Sequence, residues 1–172
     1  MLTHEVKIKR ISEIHDIDVN QKYSKILPYS FHLDSVRKFA LEFINLIPFE
    51  YEFDILVACQ GHDLIEDARM TYNDVVILTN KFTADIIYSC TELRGKDRAE
   101  RHGKEYIDGL RDNKYGLFVK LCDLMANISF SLATNSKMYY KYQKEFVHFK
   151  EELYLDEYKS MFDFIDKLLK VK

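Results

Sequence analysis

The sequence predicts an all-α protein, and three observations support this fold class. The chain of 172 residues contains only 5 glycines and 2 prolines, so residues that form turns are scarce. Long segments carry apolar residues at spacings of three and four, which is the period of a helix that packs on one face. Hydrophobic residues make up 47% of the chain, which is enough for one continuous core. We therefore expect a single compact helical bundle over residues 1–172, without linkers or internal repeats.

The same periodicity predicts where the helices lie. Pro28 and Pro48 are the clearest breaks in the pattern. The segment 51–66 is nearly continuously apolar through Ile55–Cys59, which favours a buried helix over a strand. Residues 98–112 are strongly charged and are expected to form an exposed helix. Helices are expected at residues 33–47, 51–66, 72–80, 82–93, 98–112 and 115–135, with a loop at 93–97.

The C-terminal segment, from about residue 138 to 170, is rich in tyrosine and phenylalanine. Phe146, Phe149 and Leu153 recur there at helical spacing. We expect one or two helices that pack against a core formed by residues 10–135. A surface for a partner protein is the less favoured interpretation of the aromatic stripe.

Charge and cysteine usage narrow the class of protein. The formal net charge is −3, which gives no overall attraction to nucleic acid or to an acidic membrane. No signal peptide is visible, and no apolar run approaches the roughly 18 residues of a membrane span. The three cysteines are odd in number, lack a Cys-x-x-Cys spacing and lie among apolar residues, which favours a reducing compartment. We expect a cytoplasmic protein that binds neither nucleic acid nor membrane, and a homo-oligomer stays possible.

The segment His62–Asp67 is the first candidate site. It places four ionisable groups within six residues of a helix that is predicted to be buried. Burying carboxylates without partners costs several kcal/mol, about 2–7 for even a neutral polar group, so something must compensate the charge. A divalent cation is the simplest compensation. On a helix, His62 and Glu66 are four residues apart, as are Asp63 and Asp67, so each pair shares a face.

Further metal ligands are expected from two other helices. His32 stands near the start of one predicted helix, and Asp123 is a carboxylate in an otherwise apolar one. Two imidazoles and two carboxylates suit Mn²⁺, Fe²⁺, Co²⁺ or Zn²⁺, while the absence of thiolates is unlike a structural zinc site. The alternatives are a surface or capping role for His32 and an ion pair between Asp123 and Lys120 on the same helix.

Three motifs together resemble the HD superfamily of metal-dependent phosphohydrolases. Pro28-Tyr29-Ser30-Phe31-His32 resembles the family's Pro-Tyr-x-x-His, and His62-Asp63-Leu64-Ile65-Glu66-Asp67 resembles its His-Asp-x-x-Glu-Asp. Val119-Lys120-Leu121-Cys122-Asp123, followed by Asn127, resembles Val-Lys-Leu-Ala-Asp-x-x-x-Asn. More narrowly, the order of these motifs over residues 10–135 is similar to the hydrolase domain of RelA/SpoT-type alarmone enzymes and of small stand-alone relatives. The expected fold is then an HD-domain helical bundle.

The resemblance implies a complete catalytic centre. It implies that one Mn²⁺ is bound by His32, His62, Asp63 and Asp123. Glu66 and Asp67 would position and activate the attacking water, and Asn127 would contact the sugar of a nucleotide. The implied reaction is removal of the 3′-diphosphate from a guanosine tetraphosphate-like alarmone, (p)ppGpp, or hydrolysis of another phosphorylated nucleotide.

Two segments are candidate substrate contacts. Residues 94–104 hold five basic residues in eleven positions, and a phosphate-rich substrate needs such a clamp. Arg98, Arg101 and Lys104 would share one helix face, although a solvated charged face explains them equally well. Lys22 and Tyr23 lie where alarmone hydrolases commonly carry an arginine-rich stretch. Tyr23 could stack on a base or pack, so the recognised base stays open.

Other functions compete with the alarmone hypothesis. A different HD activity, such as a 5′-nucleotidase or a cyclic-nucleotide phosphodiesterase, would keep the metal centre and change the substrate. A non-catalytic module could use the same pocket to sense a nucleotide. A helical interaction protein with fortuitous histidines and aspartates is the remaining class.

Overall fold

The structure is a computed structural model that describes residues 2–92, 100 and 103–171. Nine α-helices lie within these residues, so the predicted all-α class is confirmed. The helices α1 to α9, in chain order, are His4–Glu13, Ser30–Glu42, Glu52–Gly61, Tyr72–Leu78, Lys81–Cys90, Lys104–Asp112, Lys114–Ala133, Met138–Leu153 and Lys159–Leu168. A short antiparallel hairpin, β1 (Lys22–Tyr23) and β2 (Leu27–Pro28), joins α1 to α2.

The helix α7 is the centre of the core. It packs against α2, α3, α5, α6, α8 and α9, and residues on several of its sides, including Phe118, Leu121 and Met125, are fully buried. The second buried helix is α3, in which nearly every residue from Ile55 onward is inaccessible to solvent. A helix that is apolar all round must be covered on all sides, which explains why these two segments lie innermost.

The helix α7 is also long and apolar enough to cross a membrane, contrary to the expectation that no segment approaches a membrane span. However, 67% of its most apolar window is buried inside the protein. A core helix of a soluble protein has the same length and composition, so this is weak evidence for a membrane segment. The cytoplasmic location stays a prediction.

The largest difference from the predicted boundaries is at the end of α3. The helix was expected to run through residue 66, but it ends at Gly61, and residues 62–67 form consecutive turns. The amide of Leu64 bonds the carbonyl of Gly61, three residues back rather than four, at 3.0 Å. The Leu64 side chain folds over Gly61, where a Cβ atom would meet its Cδ1 at 3.0 Å.

Other boundaries differ by a few residues. The predicted helix 33–47 is α2 at Ser30–Glu42, followed by a separate 3-10 turn at Ile44–Leu46. The prediction of a wholly exposed helix before α7 is wrong, because α6 buries Tyr106, Ile107 and Leu110 against the core. The loop predicted at 93–97 lies outside the described residues.

Two helices form the C-terminal segment, within the prediction of one or two. Phe146 and Leu153 of α8 are buried, and the ring of Phe146 packs against Phe162 of α9 with centroids 6.1 Å apart. Core packing of this part of the aromatic stripe is thereby confirmed. The remaining aromatic residues of α8 have a second role, because they line a cavity.

Candidate metal centre

The four predicted metal ligands lie close together, and three of them form a group that could hold one ion. His32 Nε2 lies 3.3 Å from His62 Nε2 and 3.3 Å from Asp123 Oδ1. His62 Nε2 lies 3.1 Å from Asp63 Oδ2 and 3.6 Å from Asp123 Oδ1. The ligand atoms of His32, His62 and Asp123 all lie within 4.8 Å of one another, and all three residues are buried. Asp63 Oδ2, which is 3.8 Å from His32 Nε2, completes the group.

Three separate elements supply these side chains. His32 lies in the first turn of α2, His62 and Asp63 follow the end of α3, and Asp123 lies in the middle of α7. Adjacent residues on a regular helix point roughly 100° apart. The turns that replace the end of α3 therefore allow His62 and Asp63 to face the same point.

A backbone hydrogen bond orients His62. Its Nδ1 lies 2.9 Å from the carbonyl oxygen of Cys59, which can only accept a hydrogen bond, so Nδ1 carries hydrogen. The lone pair of Nε2 is then directed at the site, as in histidines that bind metals. His32 is held differently, since its ring stacks on Tyr23 with centroids 4.9 Å apart.

The two carboxylates of the site favour positive charge nearby. Burial opposes the charged form of His62, but the carboxylates of Asp63 and Asp123 outweigh it and raise the pKa of His62 well above 6.5. Burial likewise opposes ionisation of Asp63, yet His62 holds the pKa of that carboxyl below its usual value. Either a proton on His62 or a metal ion can therefore balance the two carboxylates.

The donor set fits a divalent ion. Two ligands that each lie about 2.1 Å from a metal are about 3.0 to 3.4 Å apart at octahedral or tetrahedral angles. The distances from His32 Nε2 to His62 and Asp123, and from His62 Nε2 to Asp63, are 3.1 to 3.3 Å. The other two separations, 3.6 and 3.8 Å, need a shift of a few tenths of an ångström. Mixed nitrogen and oxygen ligands suit first-row divalent metals.

Asp67, one of the two predicted catalytic carboxylates, lies next to the ligands in a hydrogen-bonded cluster. The hydroxyl of Tyr29 is 2.5 Å from Asp63 Oδ2 and 3.0 Å from Asp67 Oδ2. The side-chain amide of Gln21 donates to the same Asp67 oxygen at 2.8 Å. Neither Gln21 nor the tyrosine of the Pro-Tyr motif was predicted to act at the site.

Glu66, the other predicted catalytic carboxylate, has a raised pKa. Its side chain is reached by solvent, but the surrounding protein desolvates the carboxyl enough to raise its pKa to about 7, against the opposing effect of Lys120. Glu66 Oε1 accepts a hydrogen bond from the backbone amide of Glu92. A carboxyl that titrates near neutral pH is suited to take up and release a proton there.

Lys120 is a buried cation beside the ligands. Its Nζ lies 3.0 Å from Asp123 Oδ2 and 4.0 Å from Glu92, and 13% of its side chain is exposed. The ion pair between Asp123 and Lys120 had been considered an alternative to metal binding. The structure contains this ion pair through Asp123 Oδ2, while Asp123 Oδ1 faces the histidines.

A cavity of about 500 Å³ opens beside the ligands. The polar wall holds Asp63, Glu66, Asp67 and Lys120. Another part of the wall belongs to α8, which contributes aromatic rings at positions spaced by four and three residues, namely Tyr142, Phe146 and Phe149. The sequence analysis favoured core packing over a partner surface for the aromatic residues of this helix, although their one-sided spacing fits a cavity wall equally well.

The predicted substrate contacts have different positions. Tyr23 and Asn127 line the cavity, and the Tyr23 hydroxyl donates to Asn127 Oδ1 at 3.0 Å. Lys22 and Lys104 are exposed, and neither lines the cavity as the described residues define it. The predictions for Arg98 and Arg101 concern residues outside the described part of the chain.

Comparison with known proteins gives no family assignment. No model of a known protein family matches the chain, and no curated protein matches it.

Proposed function

We propose that this protein is a metal-dependent phosphohydrolase that acts on a phosphorylated nucleotide. The observation that carries the proposal is the group of His32, His62 and Asp123, with Asp63 3.1 Å from His62, beside a cavity of about 500 Å³. Buried imidazoles and carboxylates with this spacing are costly unless they bind a cation. The three sequence motifs that resemble HD phosphohydrolases contribute these residues.

The roles of the side chains follow from their positions. A divalent ion such as Mn²⁺ bound there supplies a water of lowered pKa and polarises a phosphate oxygen. Glu66, with its pKa near 7, accepts a proton from the attacking water at neutral pH. Asp67, held through one carboxylate oxygen by Tyr29 and Gln21, orients that water with the other oxygen.

The cavity supports a nucleotide as the substrate class. Its volume of about 500 Å³ is typical of small-molecule sites, which span roughly 300–1,000 Å³. A phosphate at the ligand end places the rest of the substrate against the aromatic wall on α8, where a base can stack. The narrower hypothesis is a (p)ppGpp-like 3′-pyrophosphohydrolase, as the motif resemblance implies.

Release of phosphate and pyrophosphate tests the proposal. The purified protein is incubated with Mn²⁺ and a panel of 3′-phosphorylated, 5′-phosphorylated and cyclic nucleotides, beside His62→Ala. The matched control is His4→Ala, because His4 lies on α1 and stacks on Phe53 away from the cavity. We expect turnover in the wild type and the control, and none in His62→Ala.

The pattern of turnover discriminates the hypotheses. Selective turnover of guanosine tetraphosphate supports the alarmone hypothesis, and turnover of another nucleotide keeps the mechanism with a different substrate. Mn²⁺ and nucleotide binding without any turnover indicates a nucleotide sensor and contradicts the proposal. Equal turnover by wild type and His62→Ala also contradicts it.

A further inference from the structure

We propose that His15 and Gln21 are positioning residues that fix the orientation of the Asp67 carboxylate toward the cavity. The inference rests on the proposed function for its catalytic consequence, but the positioning itself can be measured without turnover. Neither residue lines the cavity or belongs to a motif that sequence reasoning assigned to the site.

His15 is an unusual residue for a protein core. It is completely buried, within a π-helical turn at Ile14–Asp18 that follows α1. Its ring stacks on that of Tyr29, with centroids 5.0 Å apart, and Tyr29 contacts both Asp63 and Asp67. Single π-turns in helical segments often occur near functional sites. A fully buried imidazole must be hydrogen-bonded to be tolerated, and Gln21 is its partner.

The hydrogen-bond directions in this cluster follow from chemistry alone. An ionised carboxylate only accepts, so the Gln21 group 2.8 Å from Asp67 Oδ2 must be the amide nitrogen. The Gln21 oxygen then faces His15 Nδ1 at 2.8 Å, and an oxygen without hydrogen requires a donor there. His15 therefore carries its hydrogen on Nδ1. The chain of donation runs one way, from His15 through Gln21 to Asp67.

A backbone hydrogen bond holds Gln21 close to His15. The amide of Gln21 donates to the carbonyl of His15 at 2.8 Å, so the loop after α1 folds back on the turn that carries the imidazole. Asn20, directly before Gln21, adopts a positive φ of 53°, a conformation that asparagine tolerates better than most residues. The loop thus brings Gln21 across to the turn that follows α3.

Asp67 depends on these hydrogen bonds because neither burial nor helical structure fixes its side chain. Its side chain is exposed and lies at the end of a series of turns rather than inside a helix. Gln21 and Tyr29 both contact Oδ2, so they anchor one oxygen, and Oδ1 of this cavity-lining residue has no protein hydrogen-bond partner among the described residues. Without Gln21, the carboxylate loses one of these two anchors and can rotate between staggered positions.

Two variants of Gln21 test its hydrogen bonds to His15 and Asp67 separately. Gln21→Met keeps the size of the side chain and removes both hydrogen bonds. Gln21→Glu keeps an acceptor for His15 and removes the donor to Asp67. The control is Gln143→Met, since Gln143 bonds the carbonyl of Leu169 at the far side of α8. Gln21 is half-buried and lies in a loop, so these variants leave no cavity in the core. His15→Ala, in contrast, would create one.

The first measurement is NMR on the protein with Mg²⁺ as a diamagnetic ion. Long-range proton–nitrogen correlations report which nitrogen of His15 carries hydrogen, and three-bond couplings report the Asp67 χ1 rotamer. We expect an Nδ1–H imidazole and one Asp67 rotamer in the wild type and in Gln143→Met. The Asp67 couplings should become averaged in both Gln21 variants. A hydrogen on Nε2, or an unaltered single rotamer in Gln21→Met, overturns the inference.

The second measurement is kinetic, on the substrate found by the nucleotide panel. We expect Gln21→Met and Gln21→Glu to lower kcat by about 10- to 100-fold, as loss of supporting hydrogen bonds does elsewhere. In the uncharged variant Gln21→Met, KM and Mn²⁺ affinity should stay within about twofold, whereas a general loss of structure would alter both. Unchanged kcat overturns the catalytic role. Absence of turnover in the wild type refutes the proposed function instead, and the NMR result then judges the positioning alone.

Discussion

At the scale of single residues, a proton and a metal ion compete for the space between His62 and two carboxylates. Despite the opposing effect of burial, the carboxylates of Asp63 and Asp123 raise the pKa of His62, so this imidazole holds a proton more strongly in the metal-free protein than an ordinary histidine does. A metal ion must displace that proton, so we expect Mn²⁺ affinity to fall as the pH falls. Titration calorimetry at pH 7 in buffers of different ionisation enthalpy should show about one proton released.

The absence of proton release, or an affinity that is the same at pH 6 and pH 8, would contradict this exchange. The control is His148→Ala, because His148 lines the same cavity on α8. That change should leave the number of protons released on Mn²⁺ binding unaltered.

Lys120 gives the second prediction at this scale. Replacing it by methionine keeps the length of the side chain and leaves the buried carboxylate of Asp123 without its cation 3.0 Å away. Breaking a buried ion pair on one side typically costs about 3–5 kcal/mol, so the metal-free Lys120→Met should lose a similar amount of unfolding free energy. Urea unfolding in EDTA measures this loss.

The matched control for Lys120 is Lys114→Met on the same helix. Lys114 pairs with Glu157 at 3.0 Å on the surface, and such pairs contribute less than about 1 kcal/mol. Mn²⁺ should restore part of the stability of Lys120→Met, because it supplies positive charge to Asp123. Equal losses in the two variants would show that Lys120 does not compensate the site.

The proposed ligands could be selected from the sequence, whereas the residues proposed to orient Asp67 could not. His62, Asp63 and Asp123 stand out because ionisable groups are rare in apolar helices. Gln21 and His15 are ordinary in a polar N-terminal segment. Their role depends on a loop that folds across to the end of α3, and this contact is 46 residues distant in the sequence for Gln21 and Asp67.

At the scale of elements, α8 has one face toward the cavity and another toward solvent. Phe149 lines the cavity, and Val147, on the same helix, is 60% exposed. Stacking of a base on an aromatic ring contributes about 1–3 kcal/mol. We therefore expect Phe149→Ala to raise the Kd of the substrate by about 5- to 150-fold, with unchanged Mn²⁺ affinity. Substrate binding in the His62→Ala background measures the Kd without turnover, and a Mn²⁺ titration of Phe149→Ala with His62 intact measures the metal affinity.

Val147→Ala serves as the control for α8 and should leave the Kd unchanged. A similar Kd for Phe149→Ala and the wild type would contradict the proposal that the base stacks on the aromatic rings of α8. It would leave the metal centre unaffected.

Periodicity predicted the existence of the helices better than their ends. The segment 51–66 is apolar up to Cys59, and the pattern alone gives no sign that regular hydrogen bonding stops at Gly61. At this point Gly61 packs closely against Leu64 of the following turn and against Ile87 of α5, and the contact with Ile87 is a tertiary one. This same departure from the helix brings His62 and Asp63 to one point, so the least predictable boundary is the one that forms the site.

At the scale of the whole molecule, the metal centre ties α2, the end of α3 and α7 together. An ion that binds only the folded chain stabilises it by about 2.7 kcal/mol at a concentration of 100 times its Kd. For a chain of this length, each kcal/mol corresponds to about 2–4 °C in Tm. We therefore expect Mn²⁺ to raise the Tm by about 5–11 °C relative to EDTA, as measured by scanning calorimetry.

Asp123→Asn is the comparison for thermal stabilisation, because it keeps the shape of the side chain and removes a charged ligand. Its Tm should respond weakly to Mn²⁺. The same Mn²⁺-dependent rise in Asp123→Asn and in the wild type would place the ion elsewhere on the protein.

The separation of the ligands from the aromatic wall has a consequence for how substrate preference can change. All four ligands lie between residues 32 and 123, while Tyr142, Phe146 and Phe149 lie on α8, beyond them in the chain. Mutational drift on α8 can therefore alter which compound is accepted and leave the hydrolytic groups as they are. A combinatorial library restricted to that helix is a direct way to redesign the selectivity of the molecule.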